Sequence, residues 1–138
     1  MRLDLYQAET ERQAERQAAI LEQARALLNS GHQLTMLEES GILHALQVLI
    51  ENAIGKAKQW LKASGRTVPV SAYDAFAALA EAGMIPTQDI HAWNAFVGLR
   101  NRIVHDYMNM DLARLHGLIQ RGEFQFVVDF LMRPSPSR

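Results

Sequence analysis

The sequence predicts an all-α fold, an antiparallel bundle of four long helices and one short helix. Apolar residues recur at spacings of three and four along most of the chain, and the alternating Val, Ile and Thr segments typical of strands are absent. The few Gly and Pro residues fall mostly where helices should end. With 138 residues, the chain fits a single domain. We expect that domain to cover residues 1–132 and to be followed by a disordered tail, residues 133–138.

The first two helices are predicted from their ends and their apolar rows. The first runs from about Leu3 to Leu28 and leaves through the sequence Asn-Ser-Gly. The second opens with a capping box, in which the side chains of Thr35 and Glu38 each accept a hydrogen bond from a backbone amide at the other residue. It is apolar on more than one side, as expected of a central helix or one shared with a partner subunit. Its main row is Leu43, Leu46, Ile50, Ala53, Ala57 and Leu61.

The remaining helices are shorter, and turn residues mark their limits. Ser71 and Asp74 open a short third helix that stops at Gly83. Pro86 is expected in the first turn of a fourth helix, and Asp111 is expected to cap a fifth. The fifth helix is predicted to direct five residues inward: Leu112, Leu115, Ile119, Val127 and Phe130.

Composition excludes several classes of protein. The chain has no cysteine, which excludes a disulfide scaffold, a thiolate zinc site and a cysteine nucleophile. The histidines show no metal-ligand spacing, so we expect neither a metal nor a cofactor. No apolar run approaches the ~20 residues that cross a bilayer, and the first residues lack the core of a signal peptide. We therefore expect a cytoplasmic protein with no membrane contact. The formal net charge of −1 means that nucleic acid would have to bind locally.

An arginine interrupts the apolar stripe of the fourth helix. At 100° per residue, Arg100 falls on the same side as Trp93, Val97 and Val104. Arginine is almost never buried without a partner, so this guanidinium should reach an opposite charge, a cleft or a subunit interface. A purely structural explanation is an internal pair with a glutamate, or a side chain that extends to solvent at the edge of the bundle.

His105 follows Arg100 by five residues and therefore lies about 140° away around an ideal helix. Both side chains can face one groove only if the helix loosens before His105 or if the groove lies between two subunits. Asn101 lies between them in angle, where it could orient either group. Asp106 could hold the imidazole or simply begin the loop before Asp111. His105 alone would suit a helix terminus, where its charge favours the dipole.

The segment that contains these residues, LRNRIVHDY from Leu99 to Tyr107, has the pattern R-N-x-x-x-H-x-Y. Together with the preceding Val97-Gly98 and an upstream segment from Tyr73 to Ile85, it resembles the HepT-like branch of the HEPN superfamily. The resemblance spans roughly residues 20–132. It implies a metal-independent endoribonuclease toxin that forms homodimers, with the R-x4-H motifs of both subunits lining a shared cleft.

The resemblance also implies a partner and a role for each motif residue. The partner would be an MNT-type nucleotidyltransferase antitoxin, which adenylylates the tyrosine of the motif. By position, Arg100 and His105 would be catalytic, Tyr107 the modified residue, and Asn101 and Asp106 supporting groups. Tyr107 could equally be a hydrophobic cap.

The chemistry of RNA cleavage is compatible with these residue types. RNA carries its own nucleophile, the 2′-hydroxyl, so no metal-bound water is required. We predict that His105 acts as the general base, or as the acid on the leaving 5′-oxygen, and that the products carry a 2′,3′-cyclic phosphate. Arg100 would bind the scissile phosphate. Further RNA contacts are predicted for four basic residues, which could also form an ordinary solvated face: Lys56, Lys58, Lys62 and Arg102.

Two other functions are open from the sequence. One is a non-catalytic bundle that binds a nucleotidyltransferase and is modified by it or presents substrate to it. The other is an interaction bundle in which Arg100 pairs internally and no chemistry occurs.

Overall fold

The structure, a computed structural model, describes residues 3–135, which form six α-helices and no strand. The all-α fold class is therefore confirmed. Two three-residue 3-10 turns flank the fourth helix: Thr87–Asp89 lies directly before it, and Tyr107–Asn109 follows it after Asp106. The helices are α1 Leu3–Asn29, α2 Met36–Ala63, α3 Ala72–Glu81, α4 Ile90–His105, α5 Leu112–Gln120 and α6 Gln125–Met132. None of the described helices combines the length and the apolar character that crossing a bilayer requires.

Helix α2 is the central element, because it packs against α1, α3, α4 and α6. The predicted capping box opens it: the Glu38 amide donates to Thr35 Oγ1 over 3.1 Å, and the Thr35 amide donates to Glu38 Oε1 over 2.9 Å. The Thr35 amide and the neighbouring His32 hold the pKa of Glu38 below its usual value. The main apolar row of α2 is buried except for the partly buried Leu43, because neighbours cover the helix on several sides. A second row on another side is buried as well: Ile42, Leu49 and Trp60.

An aromatic cluster anchors the first half of α4. The Trp93 ring stacks on Phe76 of α3 with ring centres 4.2 Å apart and meets Phe126 and Phe130 of α6 at 4.8 Å and 5.0 Å. Such ring pairs each contribute about 0.5–1.5 kcal/mol beyond the area that they bury. The cluster therefore fixes α4 against α3 and α6 and positions its second half, which carries the motif.

The single fifth helix predicted from the sequence is wrong, because the structure divides it into α5 and α6. The chain turns at Gly122, whose φ of +69° is a conformation that favours glycine. The Glu123 amide donates to the Leu118 carbonyl over 3.1 Å, which closes α5 in a Schellman-type cap. Of the residues predicted to point inward, four are buried, whereas Leu112 is 38% exposed.

Pro86 also differs from its predicted place. It precedes the turn Thr87–Asp89 as the N-cap and is extended, with φ −65° and ψ 139°, so α4 proper begins four residues later. Short 3-10 turns such as this one are common at the beginning of α-helices.

The carboxyl end of α6 is held by side chains from α1 and α2. Gln7 Nε2 donates to the Leu131 carbonyl over 3.0 Å, and the Lys56 ammonium donates to the carbonyls of Phe130 and Leu131 over 2.7 Å and 3.0 Å. Arg133, the first residue of the predicted tail, donates from Nη2 to the Met84 carbonyl over 3.2 Å. Residues 136–138 of that tail lie outside the described residues, and its disorder stays a prediction.

Candidate active site

Helix α4 continues without a break through His105. Asp106 follows as the C-cap, and its amide donates to the Arg102 carbonyl over 2.8 Å. The loosening before His105 that would have let both motif side chains face the same direction does not occur. Arg100 and His105 therefore keep the separation of about 140° that a regular helix gives them.

Arg100 lies where the buried stripe of α4 ends. Trp93 and Val97 earlier in the stripe are 1% exposed, whereas Val104, one turn after Arg100, is 41% exposed. The Arg100 side chain is 26% exposed, so the guanidinium lies between the core and solvent. The guanidinium of Arg100 thus lies at the edge of the bundle, next to α2.

Two polar neighbours orient the Arg100 guanidinium. Its Nη1 donates to Asn101 Oδ1 over 2.7 Å, and its Nε lies 3.4 Å from Oε2 of Glu51 on α2. The contact with Glu51 is an ion pair without hydrogen-bond alignment, and the buried Nε has no hydrogen-bond partner. A buried charged N–H without an aligned acceptor is unfavourable, so the ion pair with Glu51 compensates only part of the cost of burying this nitrogen. The pair with Glu51 is the internal arginine–glutamate pair that is expected if Arg100 has a purely structural role.

Glu51 is the residue that the sequence reasoning missed. It also accepts a hydrogen bond of 3.4 Å from Gln47 one turn earlier on α2, so its carboxylate is directed at the Arg100 side of the bundle. One signal was available, since Glu51 is the only acid in the basic stretch 51–66. Its partner lies 49 positions away in sequence, and only the packing of α4 against α2 identifies it.

His105 and Tyr107 are accessible at the end of α4. The His105 side chain is exposed and makes no hydrogen bond or ion pair with any residue in 3–135. Tyr107 begins the 3-10 turn and is 55% exposed. Both side chains are therefore free to meet a ligand or another protein chain.

Asp106 serves the turn after α4. Its Oδ1 accepts a hydrogen bond of 2.7 Å from Asn109 Nδ2, and its backbone carbonyl accepts one from the Asn109 amide. Of the two roles predicted for Asp106, the structure shows the second, the beginning of the loop. Asn101 likewise contacts Arg100 and leaves the His105 imidazole without a partner.

The structure contradicts one predicted RNA contact. Lys56 is completely buried, and its ammonium is hydrogen-bonded to the carboxyl end of α6, so it cannot reach a phosphate. Burial, followed by the charge of Arg133, lowers the pKa of Lys56 to about 8, and Glu11 acts in the opposite direction. Lys58 donates to the Val70 carbonyl over 2.8 Å and fastens the loop before α3.

The other basic and imidazole groups are spread over the surface. Lys62 and Arg102 are exposed. His32 pairs with Glu38 over 2.8 Å, and His116 pairs with Glu39 over 2.6 Å. Within residues 3–135, no group of three or more His, Asp or Glu side chains is placed to hold a metal ion.

The fold and the motif define an all-α bundle protein whose R-x4-H-x-Y pattern runs from the end of the fourth helix into the following turn. The family model described as "Ribonuclease HepT-like" matches residues 13–133. The chain belongs to this HepT-like ribonuclease family, as the resemblance in its sequence predicted, and membership supports a ribonuclease-type role.

The fold has a counterpart among solved structures. A chain in "Crystal structure of the toxin-antitoxin with AMP-PNP" superposes with a TM-score of 0.76, covering 91% of this chain and 97% of that chain at 20% sequence identity. At 20% sequence identity, this similarity shows that the two chains share a fold. No curated protein sequence matches this chain.

Proposed function

We propose that the protein is a metal-independent endoribonuclease, the toxin of a toxin–antitoxin pair, and that its active site forms in a cleft between two copies of the chain. The observation that carries this proposal is the unbroken α4, which directs Arg100 toward α2 and leaves His105 on another side of the helix. Because a regular helix separates the two side chains by about 140°, we infer that one chain alone does not bring both groups to one phosphate. In a symmetric dimer, Arg100 of one copy can complement His105 of the other.

The groups present suit transesterification of RNA. His105 takes the proton of the 2′-hydroxyl, whose oxygen attacks the adjacent phosphorus. The bond from phosphorus to the 5′-oxygen breaks, and that oxygen leaves with a proton supplied by an acid such as the protonated imidazole. Arg100 stabilises the charge on the non-bridging oxygens, for which its permanently charged planar fork is suited. Asn101 and Glu51 hold that fork at the edge of the bundle.

The proposed partner is an MNT-type nucleotidyltransferase antitoxin that transfers AMP to Tyr107. The phenol is accessible, because Tyr107 is 55% exposed in the turn after α4. An AMP group there would add charge and bulk two residues from His105 and so block the cleft. The solved structure with the same fold is described as a "toxin-antitoxin with AMP-PNP", which supports this pairing. We place the activity in the cytoplasm, where RNA and such an antitoxin meet.

A second candidate is a non-catalytic bundle that binds the nucleotidyltransferase. It is favoured by the ion pair between Arg100 and Glu51, which gives the arginine a structural role without any substrate.

Cleavage of single-stranded RNA in buffer with EDTA tests the first proposal. We expect the wild-type protein to produce 2′,3′-cyclic phosphate ends. Arg100→Ala and His105→Ala should each lower the rate at least about a hundredfold, the usual contribution of such groups. Arg16→Ala, on the exposed face of α1, is the matched control and should retain activity. A wild-type protein that binds a nucleotidyltransferase but leaves RNA intact would favour the second candidate.

The modification of Tyr107 is tested separately. After coexpression with a nucleotidyltransferase encoded next to it, mass spectrometry should find one added AMP on the peptide that contains Tyr107. An unmodified peptide under those conditions would reject this part of the proposal.

A further inference from the structure

A groove with a volume of about 590 Å³ lies between α4 and α5, away from the side of α4 that packs on α2. Its apolar floor includes Phe96 and Leu99 of α4 and Leu115 of α5. Two arginines stand at its walls, Arg102 on α4 and Arg114 on α5. The groove thus combines an apolar surface with cationic groups.

The two arginines are available to a ligand. No hydrogen bond or ion pair with residues 3–135 engages the guanidinium of Arg102 or of Arg114. The acids that line the groove are already occupied: Asp111 accepts the Arg114 amide over 3.1 Å as the cap of α5, and Glu123 pairs with Arg121. The lining holds three arginines, Arg102, Arg114 and Arg121, against these two acids, so its formal charge is positive.

The position of the groove connects it with the motif. His91, near the start of α4, and Arg102, near its end, both line the groove, and the helical rise places them about 16 Å apart along the axis. His105 follows Arg102 by three residues, about one turn, so both side chains lie on neighbouring parts of the exposed face of α4. An extended ligand, such as an RNA strand, that passes His105 can therefore continue into the groove.

We propose that this groove binds single-stranded RNA next to the scissile bond. Arg102 and Arg114 contact phosphates, and a base lies against the apolar floor. The occupant is a polyanion because the free groups are guanidiniums, which bind phosphate with two parallel hydrogen bonds. It is single-stranded because a base can reach the floor only when it is unpaired. The inference rests on the proposed ribonuclease function and adds a place where the substrate is held.

Binding can be measured without cleavage in the His105→Ala protein. Fluorescence anisotropy with a labelled single-stranded RNA of about ten nucleotides gives the affinity at several salt concentrations. Arg102→Ala and Arg114→Ala should each raise Kd about fivefold or more and reduce the slope of log Kd against log salt by about 0.7. Arg16→Ala removes the same charge on α1 and should leave both quantities unchanged.

Cleavage of two substrates separates this inference from the proposed function. In the protein with His105 intact, Arg114→Ala should lower kcat/KM for the longer RNA and leave a dinucleotide, which has one phosphodiester and no flank, unaffected. If the wild-type protein cleaves neither substrate, the proposed function fails, whereas the binding measurement still reports on the groove.

Three results would overturn the groove assignment. They are unchanged binding and cleavage in both arginine variants, equal competition by duplex RNA of the same length, and a changed oligomeric state of the arginine variants with unaltered RNA affinity. The last result would assign the groove to a contact between protein chains.

Discussion

The proposal of a shared active site can be tested by mixing two inactive variants. Arg100→Ala and His105→Ala each remove one of the two proposed catalytic groups from every site of the proposed homodimer. Their mixed dimer, however, joins a chain with an intact His105 to a chain with an intact Arg100. If each site takes its arginine from one copy and its histidine from the other, one of the two sites in the mixed dimer is complete.

The activity expected after mixing the two variants follows from the symmetry of the dimer, and the geometry of α4 is the reason to expect any activity. Random assortment of equal amounts makes half of the dimers mixed, and each mixed dimer has one complete site of two, so activity should return to about a quarter of the wild-type value. Each variant alone should remain below about 1%, because a general base or a phosphate-binding group contributes a hundredfold or more. The unbroken α4, with its separation of about 140° between the two side chains, is the reason to expect recovery.

The assay is coexpression of the two variants with different tags, sequential purification of the mixed dimer, and cleavage of a fluorescent RNA in EDTA. The purified mixed dimer should show about half of the wild-type rate, because half of its sites are complete. A rate no higher than that of either variant alone would refute the reasoning, and so would a protein that is active as a monomer. Coexpressed Arg100→Ala with a differently tagged Arg100→Ala is the matched control and should stay inactive.

Four further predictions concern stability and use urea unfolding. Lys56→Met should lower the free energy of unfolding by about 2 kcal/mol at pH 7, because it leaves buried carbonyls of α6 without donors. The pKa of Lys56 is about 8 in the folded protein and 10.5 ordinarily. Between pH 8 and pH 10.5 this amine is therefore protonated in the unfolded chain and mostly deprotonated in the folded one. Wild-type stability should therefore rise relative to Lys56→Met over that range, by up to about 3 kcal/mol; a fall would contradict the burial argument. Thr35→Ala should cost about 1 kcal/mol through loss of the capping box, and Thr67→Ala, in an exposed loop, should cost nothing measurable. Arg100→Ala and His105→Ala should each change stability by less than about 1 kcal/mol, and a larger loss would assign them to the framework.

The fold could be predicted from local patterns because most of its helices have local signals at their ends. The capping box at Thr35 and Glu38 lies within four residues, and the structure forms both of its hydrogen bonds. The error at the C-terminal end has a physical cause as well. The apolar spacing from Ile119 to Val127 continues in helical register across the break, so the periodicity concealed a turn that Gly122 makes possible.

The electrostatic arrangement could not be predicted, because its partners are distant in sequence. Lys56 lies in a basic stretch that suggested a solvated face, yet its ammonium meets carbonyls 74 and 75 residues away. Arg100 was expected to need a partner, but several glutamates were available, and only the packing of α4 against α2 selects Glu51. The sequence thus indicated which groups were unusual, and the tertiary structure determined what each of them contacts.

The residues that anchor α4 and the residues of the proposed active site occupy opposite ends of the helix. The aromatic cluster around Trp93 holds the first half of the helix, where every ring is buried or packed against the core. The second half contributes only Ile103 to the buried set, while Arg100 lies at the edge and His105 is exposed. A helix built in this way can lose its motif side chains without losing its anchor. Loss of cleavage in Arg100→Ala or His105→Ala would then report on the reaction, because the packing that forms the bundle is left in place.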